Sequence, residues 1–318
     1  MSIAESWDDL DEVRVRVPAK INLALRVGRP RPDGYHELAT IFQAVSLYDE
    51  VTASRGAPDD DHRTPIGSIT CEVTGLDAHR IGESEENLAF RAARLLQQEY
   101  GVREGVDIHI DKRIPVAGGM AGGSADAAGA LVACTRLWGI PATTGDLMRL
   151  AARLGADVPF PLMGGCAVGL GRGEILTPAL SRGLCHWVLA FSSHPLSTPE
   201  VFRRFDEIST GDVPRTPQIP AETMMALTSG DIHRVAGCLV NDLSLAACSL
   251  LPELHATINA GRDAGCLAGI VSGSGPTVAF LAENESAATD LAVALSSSGV
   301  ARDVRLATGP VPGATIIS

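Results

Sequence analysis

Apolar and charged residues alternate over 13–17 (Val-Arg-Val-Arg-Val), the period of a strand with one buried face, and the pattern predicts a stop at Pro18. An extended pattern resumes over 21–27, and 29–34 (Arg-Pro-Arg-Pro-Asp-Gly) is turn chemistry. Two more strands are predicted at 45–53 and at 106–110, where Val-Asp-Ile-His-Ile alternates again. Over 87–101 the period lengthens to that of a helix. Leu88, Ala92, Leu95 and Leu96 share a face, Asn87 can cap the start, and Gly101 can end it. A glycine-rich bend at 118–123 opens a helix over 124–138, and another over 144–154 ends at Gly155. Residues 1–11 read as a frayed tail and the polar stretch 55–67 as a mobile loop.

Past about residue 170 the pattern restarts with a strand at 187–191. Helices are predicted at 198–208, 220–228, 232–240, 252–264 and 285–297, with an apolar strand and turn at 268–275 and a strand at 277–281. Strands and helices interleave, so the class is α+β or mixed α/β. A chain of 318 residues exceeds the usual single core, and the expected division is 1–170 and 171–318. The last strand, 306–318, is a candidate to return to the first domain.

Composition narrows the partners. Hydrophobic residues at 45% and charged residues at 20% fit a globular protein and exclude a disordered one. A net charge of −12 without a Lys/Arg stripe argues against nucleic acid, although a few local donors suffice for one or two phosphates. The seven cysteines form no C-x-x-C pair and have no histidine at zinc spacing, so they read as buried free thiols in a reducing cytosol. The acidic start lacks a signal-peptide pattern, and no stretch approaches the roughly 18 apolar residues of a membrane helix. The expectation is a soluble cytoplasmic protein, monomer or weak dimer, with no membrane partner.

The densest chemical signal is 115–129 (PVAGGMAGGSADAAG). A glycine-rich bend at a helix start exposes several backbone N–H groups at the positive end of the helix dipole, which suits a di- or triphosphate. It is not a Walker A loop: Gly118 and Gly123 fit, but Ser124 and Ala125 stand where Lys and Ser belong. The spacing also misses the dinucleotide fingerprint, which counts against an oxidoreductase. Alone, the segment also reads as a flexible turn beside an Ala-rich helix. Lys20 and Asn22 share one side of an extended segment, but Lys20 by itself reads as a solvated surface lysine. Asp157, in Gly155-Ala-Asp-Val-Pro159, by itself reads as a turn former, and 272–277 (Ser-Gly-Ser-Gly-Pro-Thr) as a tight turn.

Together these segments resemble the GHMP small-molecule kinase superfamily: P-A-K at 18–20, the glycine loop, and the C-terminal glycine turn follow in its order. Lys20-Ile-Asn22, Arg31-Pro-Asp-Gly-Tyr-His-Glu-Leu38, Asp111-Lys-Arg-Ile-Pro115, Gly155-Ala-Asp-Val-Pro159 and Gly171-Arg-Gly-Glu-Ile-Leu-Thr177 narrow the likeness. They are similar to the branch that acts on a cytidine-diphosphate-linked methylerythritol. The likeness runs from about residue 14 to the C-terminus. It implies an N-terminal domain like the second domain of ribosomal protein S5, a ferredoxin-like C-terminal domain, and an active site in the cleft between them.

The implied reaction moves the ATP γ-phosphoryl group to the 2-hydroxyl of the methylerythritol unit, in the non-mevalonate route to isoprenoid precursors. The resemblance makes Lys20 and Asp157 catalytic. Asp157 would orient the hydroxyl and accept its proton late, while Lys20 stabilises the moving phosphoryl group. Pro115, Ala117, Gly118, Gly119, Met120, Ala121, Gly122, Gly123 and Ser124 would hold the ATP phosphates, with Asn87 and Lys112 near the nucleotide. Asn22, Tyr35, His36, Phe202, Gly273 and Ser274 would meet the substrate. Tyr35 would stack on the base and His36 bond its edge, although Tyr35 packing over its own turn and Phe202 as a core residue stay open. Mg²⁺ is expected from the chemistry, with no protein ligand assigned. Ala125 replaces a serine that the family often has, and Asp126 reads as a first-turn helix acid. The rivals are another GHMP kinase, for homoserine, mevalonate or a sugar, and a catalytically silent nucleotide-binding regulator.

Overall fold

Two long strands frame the molecule: β1 (Glu12–Pro30) and β2 (His36–Arg55) pair antiparallel along nearly all their length. The computed structural model describes residues 10–56, 67–82, 84–209 and 213–318, so most of the expected tail and of the loop at 55–67 lies outside the described residues. The stop expected at Pro18 does not occur. A slip of register between Pro18 and Ala19 absorbs the missing N–H, and the strand continues. The first half of β2 was also not anticipated, because 39–44 is buried on both faces and shows no alternation.

β3 (Ile69–Gly75), another strand the pattern did not announce, runs parallel to β4 (Val106–Lys112), with α1 (Leu88–Tyr100) as the crossover. The Asn87 side chain caps α1 by accepting from Ala89 N, and Gly101 ends it at φ 67°. α2 (Gly122–Leu137) lies directly on β1 and β2. A Cβ on Gly129 would come within 2.7 Å of both Val17 and Val51, so only a small residue permits this approach. α3 (Thr144–Leu154) carries a Thr143–Asp146 capping box, and the short α4 (Pro159–Met163) leads to the hairpin β5 (Cys166–Gly171) and β6 (Ile175–Pro178).

The remainder comprises β7 (Cys185–Phe191), α5 (Thr198–Ile208), α6 (Ala221–Ser229), α7 (Ile232–Cys238), β8 (Val240–Asn241), α8 (Ser244–Leu250), α9 (Glu253–Asp263), β9 (Ala268–Val271), β10 (Val278–Ala282), α10 (Glu285–Ser298), β11 (Asp303–Gly309) and β12 (Thr315–Ile316). The first sheet has the order β12-β1-β2-β4-β3, with β5 and β6 extending from β2 and β8 beside β1. The second is antiparallel with the order β11-β7-β10-β9, the ferredoxin-like arrangement of two interlocked βαβ halves.

β7 alternates between two cores. Trp187, Leu189 and Phe191 face the first sheet, and Val188 and Ala190 face α5, α8 and α10. Trp187 Nε1 donates to the buried Gln43 Oε1 at 2.8 Å, which ties the sheets together. The single strand expected over 306–318 is two: β11 completes the second sheet, and β12 crosses back to pair with β1. All seven cysteines are free thiols, and no helix of the described residues is long and apolar enough to cross a membrane.

Candidate active site

Lys20 and Asn22 leave β1 on one side, while Ile21 and Leu23 enter the core on the other. Lys20 is not a surface lysine. It is 5% exposed, and its Nζ donates to Asn22 Oδ1 at 2.9 Å. Asn22 Nδ2 donates to Thr40 Oγ1 at 2.8 Å, and Thr40 Oγ1 to Ala24 O at 2.7 Å. This relay fixes the ammonium to the strand pair beneath it, with the Phe42 ring 5.3 Å away. Asp157, at the bend between α3 and α4, brings Oδ2 to 3.9 Å from Lys20 Nζ and stays partly open to the cleft. Burial pulls the Lys20 pKa below its ordinary value, and the Asp157 charge works against that.

The glycine bend faces this cluster. Ala117 and Ala121 sit at φ 54° and 59°, a left-handed conformation that costs a non-glycine residue about 1–2 kcal/mol. The bend is held by bonds to its carbonyls: Lys20 N donates to Met120 O at 3.2 Å, Ser272 Oγ to Gly119 O at 3.0 Å, and Thr277 N to Gly118 O at 3.3 Å. Ala121 offers α2 no side-chain cap, and the first bond of the helix is Ala125 N to Ala121 O. The N–H groups of Gly122, Gly123 and Ser124 are thus left without a helical acceptor, and these residues line the cleft. Each such interaction with an anion is worth only about 0.3–1 kcal/mol, or ~2 when partly buried, so the site suits a polyphosphate that engages several at once.

The turn after β9 closes the other side. A Cβ on Gly273 would stand 3.3 Å from Lys20 Nζ and 3.4 Å from Asn22 Oδ1. Asn241 Nδ2 holds this turn through Val271 O and Gly273 O, both at 2.7 Å, and Ser274 Oγ meets Thr198 Oγ1 of α5 at 2.7 Å. The enclosed cleft measures about 390 Å³.

Gly119 is the tightest point, at φ 73° with a virtual Cβ only 2.1 Å from Ser272 O. Gly119→Ala is therefore expected to cost more than the roughly 1–2 kcal/mol of left-handed strain alone, because the Ser272 backbone has to retreat. Thermal melting and calorimetric ATP titration should both show the loss, and a wild-type melt with wild-type ATP affinity would contradict the tight docking.

Residues 87–165 match the GHMP kinases N terminal domain, and residues 224–301 match the GHMP kinases C terminal family. The 4-diphosphocytidyl-2-C-methyl-D-erythritol kinase of Streptomyces coelicolor is 52% identical, over 96% of this chain and 99% of that one. The enzyme of the same name from Mycobacterium tuberculosis H37Rv is 50% identical, over 99% of this chain and 96% of that one. The chain belongs to the 4-diphosphocytidyl-2-C-methyl-D-erythritol kinase family of GHMP kinases. A crystal structure of 4-(cytidine 5'-diphospho)-2C-methyl-D-erythritol kinase superposes with a TM-score of 0.75 at 33% identity, covering 92% of this chain and 98% of that one. A homoserine kinase from Cytophaga hutchinsonii reaches 0.74 at 17% identity, covering 100% and 99%, and shares the fold.

Within this GHMP kinase, residues 117–119 and 121–124 line the cleft, as do Phe202, Gly273 and Ser274. Pro115 is buried beneath the loop, where a Cβ on Gly118 would meet its ring at 2.6 Å. The Met120 side chain is fully buried in the core, so only its backbone belongs to the loop. Asn87 is occupied as the α1 cap, and its neighbour Leu88 is what reaches the cleft.

Three side chains lie elsewhere than expected. The Lys112 side chain does not reach the cleft: it is 2% exposed, and its Nζ bonds Asp49 Oδ2 and, at 2.7 Å, Asp126 Oδ2. Its place is beneath the loop, where a Cβ on Gly122 would stand 3.1 Å from Nζ. Asp126 is accordingly no solvated first-turn acid but a buried partner of that lysine. The His36 imidazole is also turned inward. Its Nε2 meets Asp206 Oδ1 at 2.9 Å and its ring stacks on Phe202 at 5.0 Å, so it braces an aromatic wall rather than presenting its edge. Phe202 combines both roles considered for it, lining the cleft and packing on the second core. Tyr35 remains 56% exposed at the mouth.

Sequence reasoning missed Thr40, Phe42, Thr198 and Arg172. Thr40 and Phe42 belong to the unforeseen half of β2. Arg172 lay inside the Gly171-Arg-Gly-Glu segment that carried the family likeness, and that was the signal available.

Proposed function

We propose that this protein uses ATP to phosphorylate the 2-hydroxyl of 4-diphosphocytidyl-2-C-methyl-D-erythritol, a step of the non-mevalonate route to isoprenoid precursors. The observation that carries this reading is identity of 50–52% to relatives of that name across almost the whole chain. The cleft is consistent with it. The free N–H groups at the α2 start receive the triphosphate, and the Lys20–Asn22–Asp157 cluster faces them across the space where the γ-phosphoryl group would pass.

In a loose phosphoryl-transfer transition state the attacking oxygen carries little charge, so its proton leaves late. Asp157 holds the acceptor hydroxyl in line and takes that proton as the P–O bond forms. Lys20, restrained by Asn22, presents positive charge to the transferring group at a fixed point, so no reorganisation is needed during the step. Magnesium, when bound with ATP, neutralises phosphate charge. Ser124 lines the cleft, and its hydroxyl is of the type that would hold it there. Asp126 is unsuited because Lys112 engages it, and among the described residues no cluster of three or more acidic, His or Cys side chains forms a metal cage. The cleft is built within one chain, in keeping with a monomer or weak dimer, and the free thiols fit the cytoplasm.

The test is a coupled ADP-release assay with ATP, Mg²⁺ and the cytidylyl substrate, run beside homoserine and mevalonate. Turnover confined to the cytidylyl substrate is the expected result. Folded, ATP-binding protein that turns over homoserine or mevalonate instead would overturn the assignment.

A further inference from the structure

Two cationic side chains line the cleft among the described residues, Lys20 and Arg172, and phosphoryl transfer as derived above uses only the first. Arg172 occupies the turn between β5 and β6. Gly171 and Gly173, at φ 74° and 107°, bend the backbone there, and Arg172 N donates to Glu174 Oε2 at 2.6 Å. The turn carries the guanidinium to a defined place. On one side is Tyr35, with the Arg172 Cζ 5.1 Å from the ring centroid. On the other is Asp157, close enough that a Cβ on Gly173 would stand 3.7 Å from its Oδ1. Arg172 thus stands against the aromatic ring at the mouth, on a turn whose Gly173 borders the carboxylate at the reacting end.

Its charge is only partly engaged where it sits, by Glu174 and at longer range by Asp33. Glu174 Oε1 approaches Nε only to 3.9 Å, and the side chain is 39% exposed. The nearby Asp33 carboxyl is held below its usual range first by the Tyr35 N–H, and its ion pair is with Arg31 at 2.8 Å.

We propose that Arg172 binds the diphosphate of the acceptor substrate. The inference rests on the reading that the acceptor is a nucleoside-diphosphate-linked alcohol. In such a molecule the diphosphate joins the nucleoside to the alcohol. With the base on Tyr35 and the alcohol at Asp157, the diphosphate has to cross the space between them. Asp157 lines that space and Asp33 and Glu174 lie near the Arg172 side chain, so a dianion there needs a cation. A guanidinium is the suited group, because its planar fork pairs with two phosphate oxygens at once. Its position over Tyr35 pre-organises it, which reduces the ordering cost when the ligand arrives.

Arg172→Met keeps most of the stem and removes the charge, while Arg172→Lys keeps the charge and removes the fork. Steady-state kinetics should show KM for the cytidylyl substrate rising about 10- to 100-fold in Arg172→Met, KM for ATP unchanged, and Arg172→Lys recovering part of the loss. Competitive binding of CDP and of cytidine then isolates the phosphate contact. Wild type should prefer CDP, and Arg172→Met should lose that preference while holding cytidine as before. Equal losses for CDP and cytidine would mean that Arg172 only braces Tyr35, and unchanged CDP binding would place the diphosphate elsewhere; either overturns the proposal. Failure of the substrate reading is separate and visible first, as wild-type protein that neither binds CDP nor turns over the cytidylyl substrate.

Discussion

Asp157→Asn is expected to lower kcat by about 10²–10⁴-fold, the usual contribution of a positioned proton acceptor. KM for ATP and the melting temperature should stay near wild type. Asparagine keeps the size and can still orient a hydroxyl, but it cannot take the proton that has to leave once the P–O bond forms. The side chain is partly exposed, and its ion contact with Lys20 is long, at 3.9 Å, so folding depends little on it. A second readout follows from Lys20. Burial already lowers the pKa of its ammonium, and the Asp157 charge is what opposes the shift. Without that charge the pKa falls further, so the alkaline limb of the residual pH–rate profile should move to lower pH. Steady-state kinetics across a pH series tests both. A variant with wild-type kcat would remove Asp157 from the chemistry, and one that melts early would make its role structural.

Lys112→Met should cost about 3–5 kcal/mol of folding stability, the loss typical when one partner of a buried ion cluster is removed. Asp49 would keep the backbone donors Arg113 N at 2.6 Å and Ile114 N at 2.8 Å. Asp126 would lose the lysine on Oδ2 and be left with Asp49 beside it, while its Oδ1 is already buried without a hydrogen-bond partner among the described residues. Adding Asp126→Asn to the variant should therefore recover part of the loss. The lysine sits under Gly122, so KM for ATP should rise as well.

The wild-type cluster also has a pH signature. Burial pushes the Asp126 carboxyl up to about 8, against the pull of Lys112, whose single charge is divided between two carboxylates. A carboxyl raised above its unfolded value favours folding while protonated. Its contribution is full below the unfolded pKa of about 4 and is lost as pH rises through about 8. Urea denaturation of wild type should show that decline over this window, and Asp126→Asn should flatten it. A wild-type profile already flat there would mean that Asp126 is ionised in the folded state.

Much of the local structure was legible in the residue pattern. The caps of α1, the end of α3 at Gly155, the glycine bend that opens α2, and the same-side placement of Lys20 and Asn22 follow from backbone preferences and periodicity, which neighbours within a few positions dictate. The motif spacing also carried the family likeness, because a phosphate-binding bend and its helix are one contiguous stretch of chain. Where a residue meets partners far away in the chain, the pattern was silent. Pro18 looked like a strand end, yet a bulge against Tyr48 carries the strand through it. Lys20 looked solvated, but Asp157 and the 272–275 turn come from elsewhere to cover it. Lys112 and His36 looked like ligand contacts, but Asp49, 63 residues from Lys112, and Asp206, 170 residues from His36, turn both inward.

The sequence by itself determined the class of fold, the phosphate-binding bend and the residue types that the reaction needs, since these depend on short-range sterics and hydrogen bonding. Only the tertiary structure decided which charged groups face the cleft and which neutralise one another beneath it. Burial and pairing of charges depend on how β1, β2, α2 and the turn after β9 pack together, and no local pattern encodes that.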